Sequence, residues 1–346
     1  MKIGMLHSRR GPAGMWAPSC EAAAIVAAAE INAAGGILGD EVELIFADCG
    51  QSEQEAVRAV DFLLDIDGVD ALVGTHTSNI RDAVSLHLAG RVPYIYTSQN
   101  EGTRPAPWTV TIGSVDGELL APSIHWLTET RHARRFFFVG NDYIWPRTAL
   151  HTTRALLAQR GSELVGQALF PVGASDYGPV LEEIRRTRPD VVISALVGTC
   201  SIEFMRAFGA AGLDEKILRF SLILDETVIC GLGAENTANL YTASHYFANR
   251  HSAGNDHFLE LYHDAFGDLA PPASAGSLGN YEGLHVLANL ARKAGVTDGP
   301  ALARHLRRPL SRQFARDGLD HSPIGAFPKV HIAAADGVTL RVVASI

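Results

Sequence analysis

Polar side chains that suit ligand binding come directly after a short apolar segment near residue 75. Residues 71–74 are apolar or small, and the polar run 75–79 follows them at once. From Ile80 onward, apolar residues recur at helical spacing. The pattern predicts a strand, a polar turn and a helix, with Ser78 and Asn79 at the helix start, where backbone N–H groups lack intrahelical partners.

Two uses of Ser78 and Asn79 fit this position. Either residue can cap the helix, which is the commoner use of such side chains at a helix start. Alternatively, the Ser78 hydroxyl and the nearby N–H groups hold a carbonyl or carboxylate of a ligand. His76 lies two residues before Ser78, so it either flanks the same pocket or serves a structural role. The sequence leaves both pairs of alternatives open.

Other predicted strands also end in hydroxyl, aromatic or acidic residues. Tyr143 and Trp145 are two apart, so both face a cleft if that stretch is extended, or else they pack at an edge. Aromatic walls with a few placed polar groups are typical of sites for small polar ligands. The side chains that share this position after a strand are Ser8, Tyr96, Ser98, Tyr143, Trp145, Thr199, Asp225 and Glu226.

The sequence offers little support for catalysis or for a metal. It contains no G-x-S-x-G, H-E-x-x-H or G-x-x-x-x-G-K-[ST] motif. His7 and His76 fall at strand ends without companion ligands, so we expect neither a metal nor a cofactor. An enzyme that uses Asp225, Glu226 or His76 as acid or base remains the distant alternative.

Composition excludes several classes of protein. The net charge is −9 with acids and bases interspersed, whereas a nucleic-acid-binding protein needs a concentrated basic patch. No apolar run approaches the roughly 18 residues of a membrane span. The four cysteines show no metal spacing, and we expect most of them to be buried thiols, with a disulfide left open.

The elements that position these residues alternate between strand and helix in two successive series. The first series starts at a strand over residues 2–7, and the second starts at a strand over 135–139. Such alternation predicts parallel sheets with helices on both faces. We therefore expect an α/β protein with two doubly wound parallel-sheet lobes, whose polar turns meet at one cleft. A hairpin around Asp336 and Gly337 is expected to end the chain.

Several of these stretches resemble a known family. They look like the type I periplasmic-binding-protein fold, and within it the urea and short-chain amide binding branch, which includes the amide-sensing regulator of amidase expression. The resemblance covers nearly the whole chain, and its most specific part is Asn141-Asp142-Tyr143-Ile144-Trp145-Pro146-Arg147. The other matching stretches are residues 5–8, 30–36, 73–84, 96–102 and 189–192.

The resemblance implies two lobes joined by a three-stranded hinge. Lobe 1 would hold residues 1–115 and 245–325, and lobe 2 would hold 116–244 and 326–346. At matching positions, Ser78 would bind the amide or carboxylate of the ligand, and Tyr96 and Ser98 would line lobe 1. The residues that would contact the ligand, with His76 and Ser8 beside them, are Ser78, Tyr96, Ser98, Tyr143, Trp145, Val197 and Asp225.

Departures from the family pattern leave the ligand open. His76 replaces an aromatic residue, Trp145 replaces Tyr or Phe, and Arg9 and Arg10 occupy a loop that is normally uncharged. Asp225 would pair with a cationic group, as in an amino acid, or receive the N–H donors of urea.

The expected function is capture of a small polar ligand (an amide, urea or an amino-acid-like compound) in the interlobe cleft for an ABC transporter. The alternative is a cytoplasmic ligand sensor that regulates amidase expression through a protein partner. We expect a periplasmic or extracellular location if an export signal was trimmed, and a cytoplasmic one if Met1 is native. The expected partners are the ligand and an ABC permease or regulatory protein, without nucleic acid or membrane insertion, and a homodimer is left open.

Overall fold

The computed structural model describes residues 1–306, 311–312, 322–323 and 329–346, and the chain divides into two compact units. Unit 1 comprises Met1–Ser114 and Arg250–Pro328, and unit 2 comprises Val115–Asn249 and Lys329–Ile346. The chain therefore passes from one unit to the other three times. The boundary that the sequence placed between residues 325 and 326 lies outside the described residues.

Fourteen strands belong to the described residues. In chain order they are β1 (Lys2–His7), β2 (Glu43–Asp48), β3 (Ala71–Thr75), β4 (Tyr94–Tyr96), β5 (Thr109–Thr111), β6 (Arg135–Asn141), β7 (Glu163–Phe170), β8 (Val191–Ala195), β9 (Leu218–Ser221), β10 (Leu240–Ser244), β11 (Ser311–Arg312), β12 (Ser322–Pro323), β13 (His331–Asp336) and β14 (Thr339–Ser345).

Eleven α-helices belong to the same residues. They are α1 (Ala17–Ala33), α2 (Glu53–Asp65), α3 (Ser78–Leu88), α4 (Asp116–Glu129), α5 (Ile144–Gln159), α6 (Gly178–Thr187), α7 (Thr199–Ala210), α8 (Glu226–Leu232), α9 (Ala253–Phe266), α10 (Ala275–Ala294) and α11 (Gly299–His305). Short 3-10 turns cover Pro12–Trp16, Ala234–Asn236 and Gly267–Leu269.

Unit 1 contains a parallel sheet with strand order β2-β1-β3-β4-β5. Ala71, Leu72 and Val73 of the central strand β3 are fully buried, as expected for a parallel strand covered on both faces. Helix α1 is rich in buried alanines and packs against α10. Close packing continues at Gly279 and Gly283 of α10, where an added Cβ would lie 3.1 Å from atoms of Thr97.

Unit 2 contains a seven-stranded sheet with order β14-β13-β10-β9-β8-β6-β7. The strands β6 to β10 are parallel, and β13 is antiparallel to both β10 and β14. The strands β13 and β14 form the expected terminal hairpin, whose turn contains Gly337 at φ 60°. The two parallel-sheet units confirm the predicted α/β fold class.

The turn after β6 bears on the two alternatives for Tyr143 and Trp145, and Pro146 lies in the first turn of a helix. Tyr143 is the N-cap of α5, so Trp145 and Pro146 lie in the first turn of the helix and are buried. Tyr143 is extended whereas Trp145 is helical, so the alternative in which the whole stretch is extended does not hold. The helix begins early because the missing N–H of Pro146 has no intrahelical partner to lose there.

Two further findings concern the chain as a whole. All four cysteines are free thiols, and Cys20, Cys49 and Cys200 are buried whereas Cys230 is exposed. Within the described ranges, no helix combines the length and apolar character that crossing a membrane requires.

Candidate functional site

The register of the unit 1 sheet brings five of the predicted contact residues to one edge. His7 pairs with Thr75, and Gly74 pairs with Tyr96, so β1, β3 and β4 end side by side. The residues that lie at or just beyond these ends are Ser8, His76, Ser78, Tyr96 and Ser98. They share the carboxyl edge of the sheet, where open α/β sheets bind ligands.

Ser78 is the first residue of α3, and its side chain does not cap the helix. Thr77 holds the N-cap position without a side-chain cap bond, and Asn79 instead donates to Glu53 across 3.3 Å. Ser78 is 1% exposed, and its hydroxyl lies within hydrogen-bond reach of the Tyr96 and Glu101 side chains. The capping alternative therefore does not hold. Burial raises the pKa of Tyr96 to about 12, so its hydroxyl stays protonated. The first-turn N–H groups of α3 remain able to bind an oxygen atom.

The hydroxyls of Tyr96 and Ser98 both donate to the backbone carbonyl of His76. The Tyr96 bond is 2.6 Å and the Ser98 bond is 3.1 Å, and Ser98 Oγ also accepts from the His76 N–H at 3.1 Å. A hydroxyl has one proton to donate. Because both protons are already used, the remaining lone pairs of the two oxygens suit N–H groups. Ser98 is half-buried, whereas Tyr96 is fully buried.

The His76 ring is held by the protein at both nitrogens. Nε2 lies 2.7 Å from the Tyr94 hydroxyl, and Nδ1 lies 3.2 Å from the Thr77 carbonyl. Burial lowers the pKa of His76 to about 3, so the ring is neutral at physiological pH. These bonds favour the structural alternative for the ring and leave it without the basicity that acid–base catalysis near neutral pH needs.

A buried ion pair lies behind Ser78 and Tyr96. Arg81 Nη2 is 2.6 Å from Glu101 Oε1 and 2.6 Å from Asp82 Oδ1, and the side chains of Arg81 and Glu101 are 2% and 0% exposed. Burial would raise the pKa of Glu101, but hydrogen bonds from Arg81, Ser78 and Thr103 outweigh it and lower that pKa. The carboxylate is therefore charged. Sequence reasoning missed this pair because its members are 20 residues apart.

Ser8 is bonded to neighbouring segments of unit 1 through both its hydroxyl and its N–H. Its Oγ lies 3.3 Å from Cys49 Sγ, and its N–H donates to the Thr75 carbonyl at 3.3 Å. Burial raises the pKa of Cys49 to about 12, so that thiol stays protonated. Ser8 thus joins the end of β1 to β3 and to the residue after β2.

The carboxyl edge of the unit 2 sheet holds the remaining predicted residues. Asn141 Oδ1 accepts from the Val197 N–H at 2.8 Å and so ties the turn after β6 to the turn after β8. Tyr143 is half-buried, and its ring centroid lies 6.2 Å from that of the buried Trp145. In the described part of the chain, Asn141 Nδ2 and Trp145 Nε1 are buried without a hydrogen-bond partner.

Asp225 and Glu226 differ in their roles at the start of α8. Asp225 is the N-cap, and its Oδ1 accepts from the N–H groups of Thr227 and Val228 at 3.1 and 3.0 Å. Glu226 Oε1 accepts from the Ala248 N–H at 2.6 Å, and its Oε2 is buried without a partner among the described residues. Burial, with the charge of Asp225, raises the pKa of Glu226 to about 8.

The acid that sequence reasoning chose for a cationic ligand group is therefore engaged by the helix. The strong preference of Asp for the N-cap was the signal that could have separated the two acids. Among the described residues, no cluster of histidine, cysteine and acidic side chains is arranged to hold a metal ion.

Comparison with known proteins identifies the family to which this sequence is similar. The sequence model of the periplasmic binding protein family matches residues 1–339. Leu/Ile/Val-binding protein homolog 6 of Brucella melitensis is 24% identical over 304 residues, which cover 85% of this chain and 76% of that protein. Leu/Ile/Val-binding protein BraC3 of Rhizobium johnstonii is 25% identical over 320 residues, covering 88% and 83% of the two chains.

Solved structures agree on the fold. The branched-chain amino acid transporter substrate-binding protein LivJ of Streptococcus pneumoniae, in complex with isoleucine, superposes with a TM-score of 0.86 at 19% identity and covers 100% of this chain and 98% of its own. A solute-binding protein of an ABC transporter from Rhodopseudomonas palustris, in complex with 4-hydroxybenzoate, gives 0.86 at 16% identity, with 100% and 96% covered.

Assignment to the urea and amide branch stays a prediction, whereas the comparisons show the family. Members of the periplasmic binding protein family bind small ligands, work with ABC permeases and are not enzymes. The chain belongs to the periplasmic binding protein family.

Proposed function

We propose that this protein captures a small amino-acid-like or amide ligand for an ABC transporter, through the carboxyl edges of its two sheets. A carboxylate or carbonyl oxygen of the ligand would bind the Ser78 hydroxyl and the first-turn N–H groups of α3. Its N–H groups would donate to the oxygens of Ser98 and Tyr96.

The observation that carries the proposal is the arrangement around Ser78. The residue begins a helix directly after the central strand, and Tyr96 and Ser98 lie at the end of the neighbouring strand. This places helix N–H donors beside hydroxyl oxygens whose protons are already used. A ligand that carries both an acceptor oxygen and an N–H donor satisfies both sets of groups.

Glu226 supports a ligand with a positive or N–H-rich end. Its buried Oε2 has no partner among the described residues, and a buried carboxylate is costly unless it is paired or protonated. An ammonium group at this oxygen would favour the charged form. The relatives named for leucine, isoleucine and valine, and the structure that holds isoleucine, fit such a ligand.

We further propose that units 1 and 2 act as the two ligand-binding lobes and that the protein works outside the cytoplasm beside its permease. The transporter proteins found by comparison support this location. Cell fractionation with a specific antibody tests it: we expect the protein in the periplasmic or extracellular fraction, and recovery only from the cytoplasm would contradict the proposal.

Thermal melting with a ligand panel tests the function. The panel contains the branched-chain amino acids, their amides, acetamide, urea and 4-hydroxybenzoate. A ligand at 100 times its dissociation constant adds about 2.7 kcal/mol to the free energy of unfolding, so at least one compound should raise the melting temperature by several degrees.

The variant Ser78→Ala should lose most of this shift and keep its ligand-free melting temperature. Ser175→Ala, at an exposed loop position of unit 2, is the matched control and should respond as the wild type does. If no compound shifts the wild-type protein, the proposed ligand class is wrong. If Ser78→Ala responds fully, the site is wrong.

A further inference from the structure

The buried pair formed by Arg81 and Glu101 connects two segments that each carry proposed ligand-contact residues. Arg81 lies in the first turn of α3, where its N–H donates to the Thr77 carbonyl at 3.1 Å. Glu101 lies in the loop that follows β4, beyond Tyr96 and Ser98. The 2.6 Å bond between the two side chains thus crosslinks the turn after β3 to the loop after β4.

The same pair contacts both segments in further ways. The guanidinium carbon of Arg81 lies 5.3 Å from the centroid of the Tyr96 ring, and Arg81 Nη2 is 3.2 Å from Thr103 Oγ1. Thr103 in turn donates to Glu101 Oε1 at 2.7 Å. Ser78 lies one helical turn before Arg81, and its hydroxyl lies close to the Glu101 carboxylate. Any shift of the pair would therefore move Ser78 and Tyr96 relative to one another.

Stability alone does not account for a pair buried this deeply. Removing two charges from water is costly, and replacing a buried ion pair by apolar side chains of similar volume is often neutral or stabilising. Arg81 donates through Nε and Nη2 to Asp82 and through Nη2 to Glu101, and such directed bonds fix the separation of their partners, which an apolar contact does not. We propose that Arg81 and Glu101 are positioning residues that hold Ser78 against Tyr96 and Ser98 in the ligand-binding geometry.

This inference rests on the proposed function, and the double variant Arg81→Met/Glu101→Met tests it. The variant removes both charges together, so neither is left buried alone. We expect a ligand-free melting temperature close to that of the wild type. In isothermal titration calorimetry with the tightest-binding compound of the panel, the affinity should fall about tenfold or more, equivalent to the loss of one well-placed hydrogen bond.

Two companion variants make the result specific. Arg135→Met/Glu163→Met removes an exposed pair of unit 2, whose atoms are 2.9 Å apart, and should bind as the wild type does. Glu101→Gln keeps an oxygen that accepts from Arg81, so its affinity should lie between those of the wild type and the double variant.

The outcomes separate this inference from the proposed function. Wild-type protein that binds no panel compound contradicts the proposed function and the inference together. Wild-type protein that binds, with a folded double variant of unchanged affinity, overturns the inference alone. A double variant that fails to fold shows that the fold itself requires the pair, which also overturns it. A folded Glu101→Gln variant with wild-type affinity overturns the inference as well.

Discussion

The carboxyl edges of the two sheets differ in how their buried polar side chains are hydrogen-bonded. At the edge of unit 1, hydroxyl protons and both nitrogens of the His76 ring are bound to protein atoms, and Arg81 neutralises Glu101. At the edge of unit 2, Asn141 Nδ2, Trp145 Nε1 and Glu226 Oε2 are buried without partners in the described part of the chain. Arg81 Nη1 and Glu101 Oε2 at the first edge are also buried without a described partner, but their side chains bond each other. The three unpartnered atoms of the second edge belong to side chains for which the described residues show no side-chain hydrogen-bond partner.

This difference indicates how a binding protein can combine polar groups held rigidly by the protein with polar groups that gain a bond when a ligand binds. Buried polar networks that are fully bonded are rigid and specify one geometry. Buried groups without partners cost free energy in the ligand-free state, and a ligand that bonds them recovers that cost. We therefore expect removal of one member of the buried Arg81–Glu101 pair in unit 1 to destabilise the protein, and removal of unpartnered groups in unit 2 to be neutral or stabilising.

The largest effect is expected from Arg81→Met alone. It leaves the Glu101 carboxylate buried without its cation, and breaking a buried pair in this way costs about 3–5 kcal/mol. Chemical denaturation measures the change, with Arg135→Met at the exposed pair as the control. A cost below about 1 kcal/mol would place Arg81 among ordinary surface cations and remove the contrast between the edges.

Asn141→Ala tests a well-made bond at the unit 2 edge. The substitution removes the acceptor of the buried Val197 N–H, so we expect a loss of about 1–3 kcal/mol. Denaturant titration gives the value, and amide hydrogen exchange at Val197 should become faster. An unchanged exchange rate would show that the turn after β8 does not depend on Asn141.

Glu226→Gln should stabilise the protein at alkaline pH. The folded-state pKa of about 8 exceeds the ordinary value, so the wild-type protein loses stability as the pH rises from about 4.5 through 8. The variant lacks this loss and should be more stable by at least about 1 kcal/mol at pH 9, and nearly equal to the wild type at pH 4.5. Parallel pH dependences of the two proteins would show that Glu226 is ionised in the native state at neutral pH.

Ser194→Ala is expected to have the smallest effect. Ser194 Oγ is buried in β8 and has no partner among the described residues, so its removal should change the free energy of unfolding by less than about 0.5 kcal/mol. Ser85→Ala in unit 1 is the matched contrast, because Ser85 Oγ lies 2.6 Å from Thr109 Oγ1, and it should cost about 1 kcal/mol. Equal losses of unfolding free energy for Ser194→Ala and Ser85→Ala would contradict the expected difference between bonded and unpartnered hydroxyls.

The sequence predicted the elements well because their signals are local. The apolar run of β3, the polar turn and the helical spacing after Ile80 all lie within 20 residues, and α3 begins at Ser78 as expected. The register that gathers Ser8, Ser78 and Tyr96 follows from parallel pairing, which the alternation of strands and helices predicts.

Side-chain roles were harder to predict because they depend on partners from other elements. His76 points its nitrogens at Tyr94 and Thr77, and nothing in its neighbouring residues indicates Tyr94. Asp225 and Glu226 are adjacent acids, and only burial and the helix start separate the cap from the unpartnered carboxylate. For Tyr143 and Trp145 the sequence left an extended and a packed alternative open, and the start of α5 at Ile144 places Trp145 in the helix.

A crystal structure with the tightest-binding panel compound tests the central claim most directly. We predict a ligand oxygen within hydrogen-bond distance of Ser78 Oγ or of the first-turn N–H groups of α3, with a ligand N–H donated to Ser98, Tyr96 or Glu226. A ligand bound with all its polar contacts away from Ser78 and from the carboxyl edge of β3 would contradict the account.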